Sequence, residues 1–380
     1  MKNTSVLALI KLIFLSLLLS IALIIFLESE SRYVLLSMII TIISLLFVFL
    51  RIKATLPFNQ LIFLHEPKTI PVLITLTTLC ITVYFHNTPF VLLMMCTVLL
   101  YATVCLGLTI QLGFIGIVNF AAAAFFGIGG YSSVILSHYP IPSLIIILLS
   151  GLISMLFSGL LIFPVLKTRG HYAALITIAA GILFKNFLEV NDSLGGSQGL
   201  QTPSIHLLGF DFNNALSLGE IDVSFYVPYI LLCLSVFIST YLITQRIEKS
   251  WFGLTLDIVR TDETAASTFG IAITKWKVTA FLFGNFIIGI AGSVYASVTG
   301  FIAPNNFTFS DSLIMISIII LGGIGNMRSI IPAALIMIIV PEKLQFIQEY
   351  RFLLYALLII GVLLFRPNGL FPRPIRNFNQ

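Results

Sequence analysis

Apolar runs of about 20 residues, parted by short polar breaks, follow one another along nearly the whole chain. Each is long enough to cross a ~30 Å hydrocarbon core as a helix. None shows the alternating period of barrel strands, so helices are the spanning solution that satisfies every backbone polar group. The runs lie at 5–27, 33–50, 69–85, 90–110, 112–137 and 144–164, then at 171–190, 225–245, 278–299, 312–327, 329–341 and 351–367. This pattern predicts an all-α polytopic bundle of about 10–12 transmembrane helices, twelve at most. The pairs 90–110/112–137 and 312–327/329–341 can each hold a discontinuous or re-entrant element lined by protein, and "LGGIGN" (321–326) interrupts the second pair.

Composition fixes the solvent. Of 380 residues, 58% are hydrophobic and 9% charged, whereas a soluble domain carries roughly 25% charge. There is too little polar material to coat such a chain in water. Cys80, Cys96, Cys105 and Cys233 all sit inside apolar runs without metal-ligand spacing and read as small buried hydrophobes. Lys2 precedes the first run, but that run is too long for a signal-peptide core and ends in "ESESR" without a small-residue cleavage pattern. An uncleaved span is the expectation.

Basic residues orient the bundle. The polar loop 191–224 has no Lys or Arg, while 246–277 holds Arg246, Lys249, Arg260, Lys275 and Lys277. With 246–277 in the cytoplasm, threading places sixteen Lys and Arg inside and four outside (Arg32, Lys185, Lys343 and Arg351). Both termini then lie in the cytoplasm, and a bacterial cytoplasmic membrane is the expected location. The chain divides into a two-helix extension with a basic connector (1–68), a core (69–372) containing the cytoplasmic loop 246–277, and a tail (373–380).

Several chemistries lack their residues. No carboxylate sits at mid-span where a proton- or sodium-coupled carrier would place one, although unwound carbonyls can also bind Na⁺. The five histidines are scattered near span ends, and no catalytic set or metal site is apparent. There is no GxxxxGK[ST] loop, and nothing points to nucleic acid. Membrane lipid is the surrounding partner.

Two regions stand out. In 106–137, Gly113, Gly116, Gly127, Gly129 and Gly130 weaken a helix, and Gln111 and Asn119 are polar at membrane depth. Close packing through small residues and a broken helix lining a substrate path both fit. On the second reading Gln111, Gly113, Gly116, Asn119, Gly129, Gly130 and Tyr131 are pathway candidates. Gly292, Ala296 and Gly300 form a small-residue row read as packing. The other region is cytoplasmic. As one helix, 254–269 would put Leu254, Ile258, Ala265 and Phe269 on a single stripe, with Arg260 and Glu263 pointing away and able to pair. Gly270 is placed to stop it in a left-handed turn. Such a helix can lie on lipid or insert an apolar ridge into a groove of a cytosolic partner.

The stretch "DETAASTFGI" (262–271) resembles the coupling loop of ABC-importer permeases, in which Glu-Ala-Ala is followed three residues later by Gly. Ala265, Ala266 and Gly270 keep that spacing; Thr264 is inserted after Glu263, and the Leu-Pro tail is missing. "FFGIGGYSS" (125–133), "FPVLKTRGHYAALITIAAG" (163–181), "LGGSQGL" (194–200), "GFIAPNNFTFSDS" (300–312), "ILGGIGNMRS" (320–329) and "LFRPNGLF" (364–371) complete a resemblance, over roughly 90–372, to the branched-chain amino-acid importer permeases. It is nearest the longer of their two permease subunits; urea and other amide permeases are close relatives.

The resemblance implies a non-enzymatic transport subunit forming half of a pore with a shorter second permease. Two cytosolic ATPases would hold the ATP and Mg²⁺, so this chain needs no cofactor, and a periplasmic or lipid-anchored binding protein would deliver substrate. It implies ATPase coupling through Leu254, Ile258, Arg260, Asp262, Glu263, Ala265, Ala266, Phe269 and Gly270. Gly195, Gly196, Gln198 and Gly199 become candidates for binding-protein contact, although the family's Asn stands here as Gln198.

Overall fold

A computed structural model describes residues 2–29, 69–168, 171–207, 210–213, 216–218 and 221–343, with separate positions between 350 and 373. The expected span 33–50, the connector 51–68 and most of 351–367 lie outside the described residues. Among the described residues twelve α-helices follow in order: α1 (Lys2–Glu28), α2 (Thr69–Tyr84), α3 (Pro89–Leu108), α4 (Ala122–Leu136), α5 (Ser143–Lys167) and α6 (His171–Val190). After the loop come α7 (Tyr226–Lys249), α8 (Trp251–Thr261), α9 (Glu263–Thr268), α10 (Ile273–Thr299), α11 (Phe309–Gly322) and α12 (Ile330–Lys343). Among the described residues six helical stretches are long and apolar enough to cross a membrane, and the chain is a multi-pass helical membrane protein.

Helices α3, α4 and α10 form the centre, with α5, α7 and α11 around them. The centre is tight because glycines let backbones touch. A Cβ at Gly129 would lie 2.1 Å from the Gly289 carbonyl oxygen, and one at Gly292 would lie 1.9 Å from that of Phe126. Packing therefore accounts for Gly129 and Gly292, and Ala296 is buried as well. Gly300 departs from that row: it ends α10 at φ 68°, with nothing within 4 Å of an added Cβ.

The run expected at 112–137 is not one helix. After Leu108 the chain widens into a π turn (Thr109–Phe114), runs irregularly through 115–121, and restarts as α4. The second doubtful pair becomes two helices of 14 residues each, α11 and α12. With the short turn before it, α11 belongs to a 19-residue stretch (Pro304–Gly322) long and apolar enough to cross.

The connections gather at two ends of the bundle. At one, Leu200–Gln201 pairs with Phe301–Ile302, Ser143 bonds His206, and the Ser224 N–H donates to the His86 carbonyl at 3.0 Å. At the other lie the π turn, α8, the turn 323–326 and Arg373.

Candidate functional site: a capped helix pair and the helix breaks beside it

The polar island folds as two helices instead of one. Asp262 leaves the helical conformation (φ −154°, ψ 110°) and caps α9, accepting from the Thr264 and Ala265 N–H groups at 2.8 and 3.1 Å. The Thr264 hydroxyl also donates to it, and these hydrogen bonds, the hydroxyl's first, hold its carboxyl below the usual range. Thr264, an insertion against the family pattern, thus completes the cap. Gly270 ends α9 at φ 77°, and the Ile271 N–H returns to the Ala266 carbonyl at 3.1 Å.

The break replaces the single expected helix but leaves the expected stripe facing outward. The chain turns Leu256, Val259 and Ala266 inward and leaves Ile258, Ala265 and Phe269 outside, with Leu254 intermediate. Phe269 is 83% exposed and Trp251, at the start of α8, 71%. The Arg260–Glu263 pair does not form. Glu263 binds Lys277 at 2.7 Å, and Arg260, exposed overall, reaches along the protein surface to donate its guanidinium to the Gly113 carbonyl.

Arg260 sits where two helix ends meet. Gly113, in the last turn of the α3 extension, approaches Gly325 so closely that a Cβ on it would be 2.7 Å from the Gly325 Cα. Gly116 (φ 81°) and Gly325 (φ 85°) border the Arg260 side chain. From the C-terminal segment, Arg373 forks onto Asp257 at 2.7 and 3.2 Å, reaches Glu248 at 3.4 Å, and lies 4.8 Å above the Phe114 ring. Leu370 and Phe371 donate main-chain N–H groups to the Leu321 and Gly322 carbonyls, satisfying the end of α11. Two cations thus face the negative ends of two helices. Burial, then the charge of Arg373, lowers the Arg260 pKa, with Asp257 opposing; the guanidinium stays protonated.

Arg373→Ala should cost about 2 kcal/mol, because a fork on largely buried carboxylates is lost. Lys277→Ala, across an exposed pair, should cost under about 1 kcal/mol. Thermal unfolding of the detergent-purified protein should show the first shift to be several times the second.

The irregular segment above is held by side chains. Asn119 donates to Gln111 at 2.9 Å and to Asn285 at 3.1 Å, and Gln111 donates to the Phe281 carbonyl at 3.0 Å. The N–H groups of Phe120, Ala121 and Ala123 find Thr177, Asn119 and Ser312. Freed backbone at membrane depth needs such partners. The pathway candidates Gln111, Gly113, Asn119, Gly129, Gly130 and Tyr131 are buried within the chain, and Gly116 is exposed beside Arg260. Asn285 escaped the sequence reading, although a polar residue within an apolar run is the signal that marked Asn119. Glu248 and Arg373 carry no such local signal.

At the other end, Gly195, Gly196 and Gly199 take positive φ. Gly199 presses on the Ile302 carbonyl, where a Cβ would come within 2.2 Å. These glycines shape a knot pinned to the end of α10, and Gln198 is exposed on it.

The family described as branched-chain amino acid transport system / permease component matches residues 90–365. The chain belongs to this permease family. The high-affinity branched-chain amino acid transport system permease protein LivM of Salmonella typhimurium is 30% identical to it over 294 residues, 72% of this chain and 68% of that protein. The probable branched-chain amino acid transport permease protein LivM of Methanocaldococcus jannaschii is 26% identical over 331 residues, 73% of this chain and 92% of that protein. A second type, the high-affinity permease protein LivH of Salmonella typhimurium, is 25% identical over 300 residues, 72% of this chain and 92% of that protein. No solved structure shows a significant match. The matched part of the permease includes the π turn, α8, α9 and the 323–326 turn, while Arg373 lies beyond it.

Proposed function

We propose that this permease is a membrane subunit of an ATP-driven importer for branched-chain amino acids. It forms half of the substrate pathway with a shorter second permease. Two cytosolic ATPases bind ATP and Mg²⁺ and drive alternating access; a binding protein delivers substrate from the far side, where Gly195, Gly196, Gln198 and Gly199 are the contact candidates. The bundle lies in the cytoplasmic membrane of a bacterium with both termini inside, as the basic residues favour. ATP hydrolysis belongs to the partner subunits.

The observation that carries this reading is the capped helix pair α8–α9, which presents Ile258, Ala265 and Phe269 outward at the basic end of a bundle that belongs to this family. A lipid-lying helix favours a more basic polar face than Asp257, Asp262 and Glu263 give, so a protein groove fits better. Affinity purification of the chain from its native membranes in mild detergent should bring down an ATP-binding subunit and a second permease. Purification of an intact chain without any ATP-binding subunit would overturn the proposal.

A further inference from the structure

We infer that Arg260 is a positioning residue that ties the docking helices to the broken helix, so that movement of the cytoplasmic loop is delivered to the π turn at Gly113. This rests on the ATP-driven reading above.

Each link is a contact between named groups. Asp262, two residues after Arg260, caps the helix that carries Ala265 and Phe269. The Arg260 guanidinium donates to the Gly113 carbonyl. Gly113 shares its π turn with Gln111, and Gln111 bonds both Asn119, in the irregular segment, and the Phe281 carbonyl on α10. Gly116 and Gly325, both at positive φ, flank the side chain: ideal Cβ positions on them would lie 3.4 Å from its Cγ and 3.7 Å from its guanidinium, ordinary contact distances.

The chemistry explains why arginine suits the place. A helix-terminal carbonyl has no partner one turn on, and a cation there gains from the helix dipole as well as from the hydrogen bond. The link joins an element resting on a cytosolic partner to an element whose helical hydrogen bonds are already interrupted. A π turn can shift register at lower cost than a regular helix. Arg373 differs in its partners: it clamps Asp257 and Glu248 on the loop side and meets the π turn through the Phe114 ring. Arg260 bonds the backbone of the break itself.

Contiguity alone does not establish coupling, so the test reads coupling directly. The complete complex, with Arg260→Gln or Arg260→Lys in this chain, is reconstituted in proteoliposomes. Radiolabelled L-leucine uptake and ATP hydrolysis are measured on the same preparation. Arg260→Gln should cut uptake about tenfold while hydrolysis by the assembled complex stays within about twofold, so more ATP is spent per leucine carried. Arg260→Lys, keeping one charged donor, should fall between Gln and wild type. A wild-type ratio of uptake to hydrolysis in Arg260→Gln, whether both rates hold or both fall together, overturns the inference. Where the Gln variant does not assemble, the same ratio is read on Arg260→Lys, and a wild-type value there overturns it too. The wild-type arm isolates the underlying reading: if the wild-type complex shows no ATP-dependent leucine uptake, that reading fails.

Discussion

Ala265→Asp should abolish uptake, by about a hundredfold or more, and leave the amount of permease in the membrane unchanged. Ala265 is exposed at the start of α9, beside the Asp262 cap. A carboxylate in the first turn of a helix is tolerated or mildly favourable, so the fold has no reason to suffer. What changes is the outward face shared with Ile258 and Phe269. Carrying an unpaired carboxylate into an apolar groove costs several kcal/mol, and each 1.4 kcal/mol or so is a factor of about ten in binding. Membrane-fraction immunoblots alongside uptake separate the two effects. Normal uptake by the variant would remove α9 from any docking role.

Gly292→Ala should do the opposite: little permease should accumulate at all. An added methyl would stand 1.9 Å from the Phe126 carbonyl oxygen, which is backbone and cannot rotate away. Ordinary overpacking costs about 1–3 kcal/mol; separating α10 from α4 along its central contact costs more. Against a total stability of about 5–15 kcal/mol, a fall in steady-state level of about tenfold follows. Gly159→Ala is the matched control, because its methyl would meet only the Leu282 side chain, at 3.6 Å. Equal accumulation of both variants would show that the α4–α10 contact has more slack than the structure gives it.

These two sites mark what was legible in the sequence and what was not. Span positions, the weak point at 106–137 and the stop at Gly270 follow from apolar length and from residues with local conformational meaning. The small-residue row correctly flagged Gly292 as packing but read Gly300, a helix stop, as part of the same face. Over 254–269 the outward stripe was legible, but the continuity of the helix was not: it breaks at Asp262, a residue type that competes with the helix for backbone N–H groups. Arg260 and Gly113 are 147 positions apart, and Arg373 and Asp257 are 116 apart. No periodic pattern joins such pairs; tertiary packing alone brings them together. Asn285 was visible in principle, yet its meaning depends on Asn119 and Gln111 lying beside it.

Energy coupling is the centre of this account, and the most direct measurement is leucine uptake into proteoliposomes containing both permeases, the ATPase subunits and the binding protein. The account predicts uptake that requires internally or externally accessible ATP on the ATPase side, persists when ionophores collapse all ion gradients, and vanishes when the ATPases are omitted. Uptake by this chain alone, driven by an ion gradient in the absence of ATP, would contradict it.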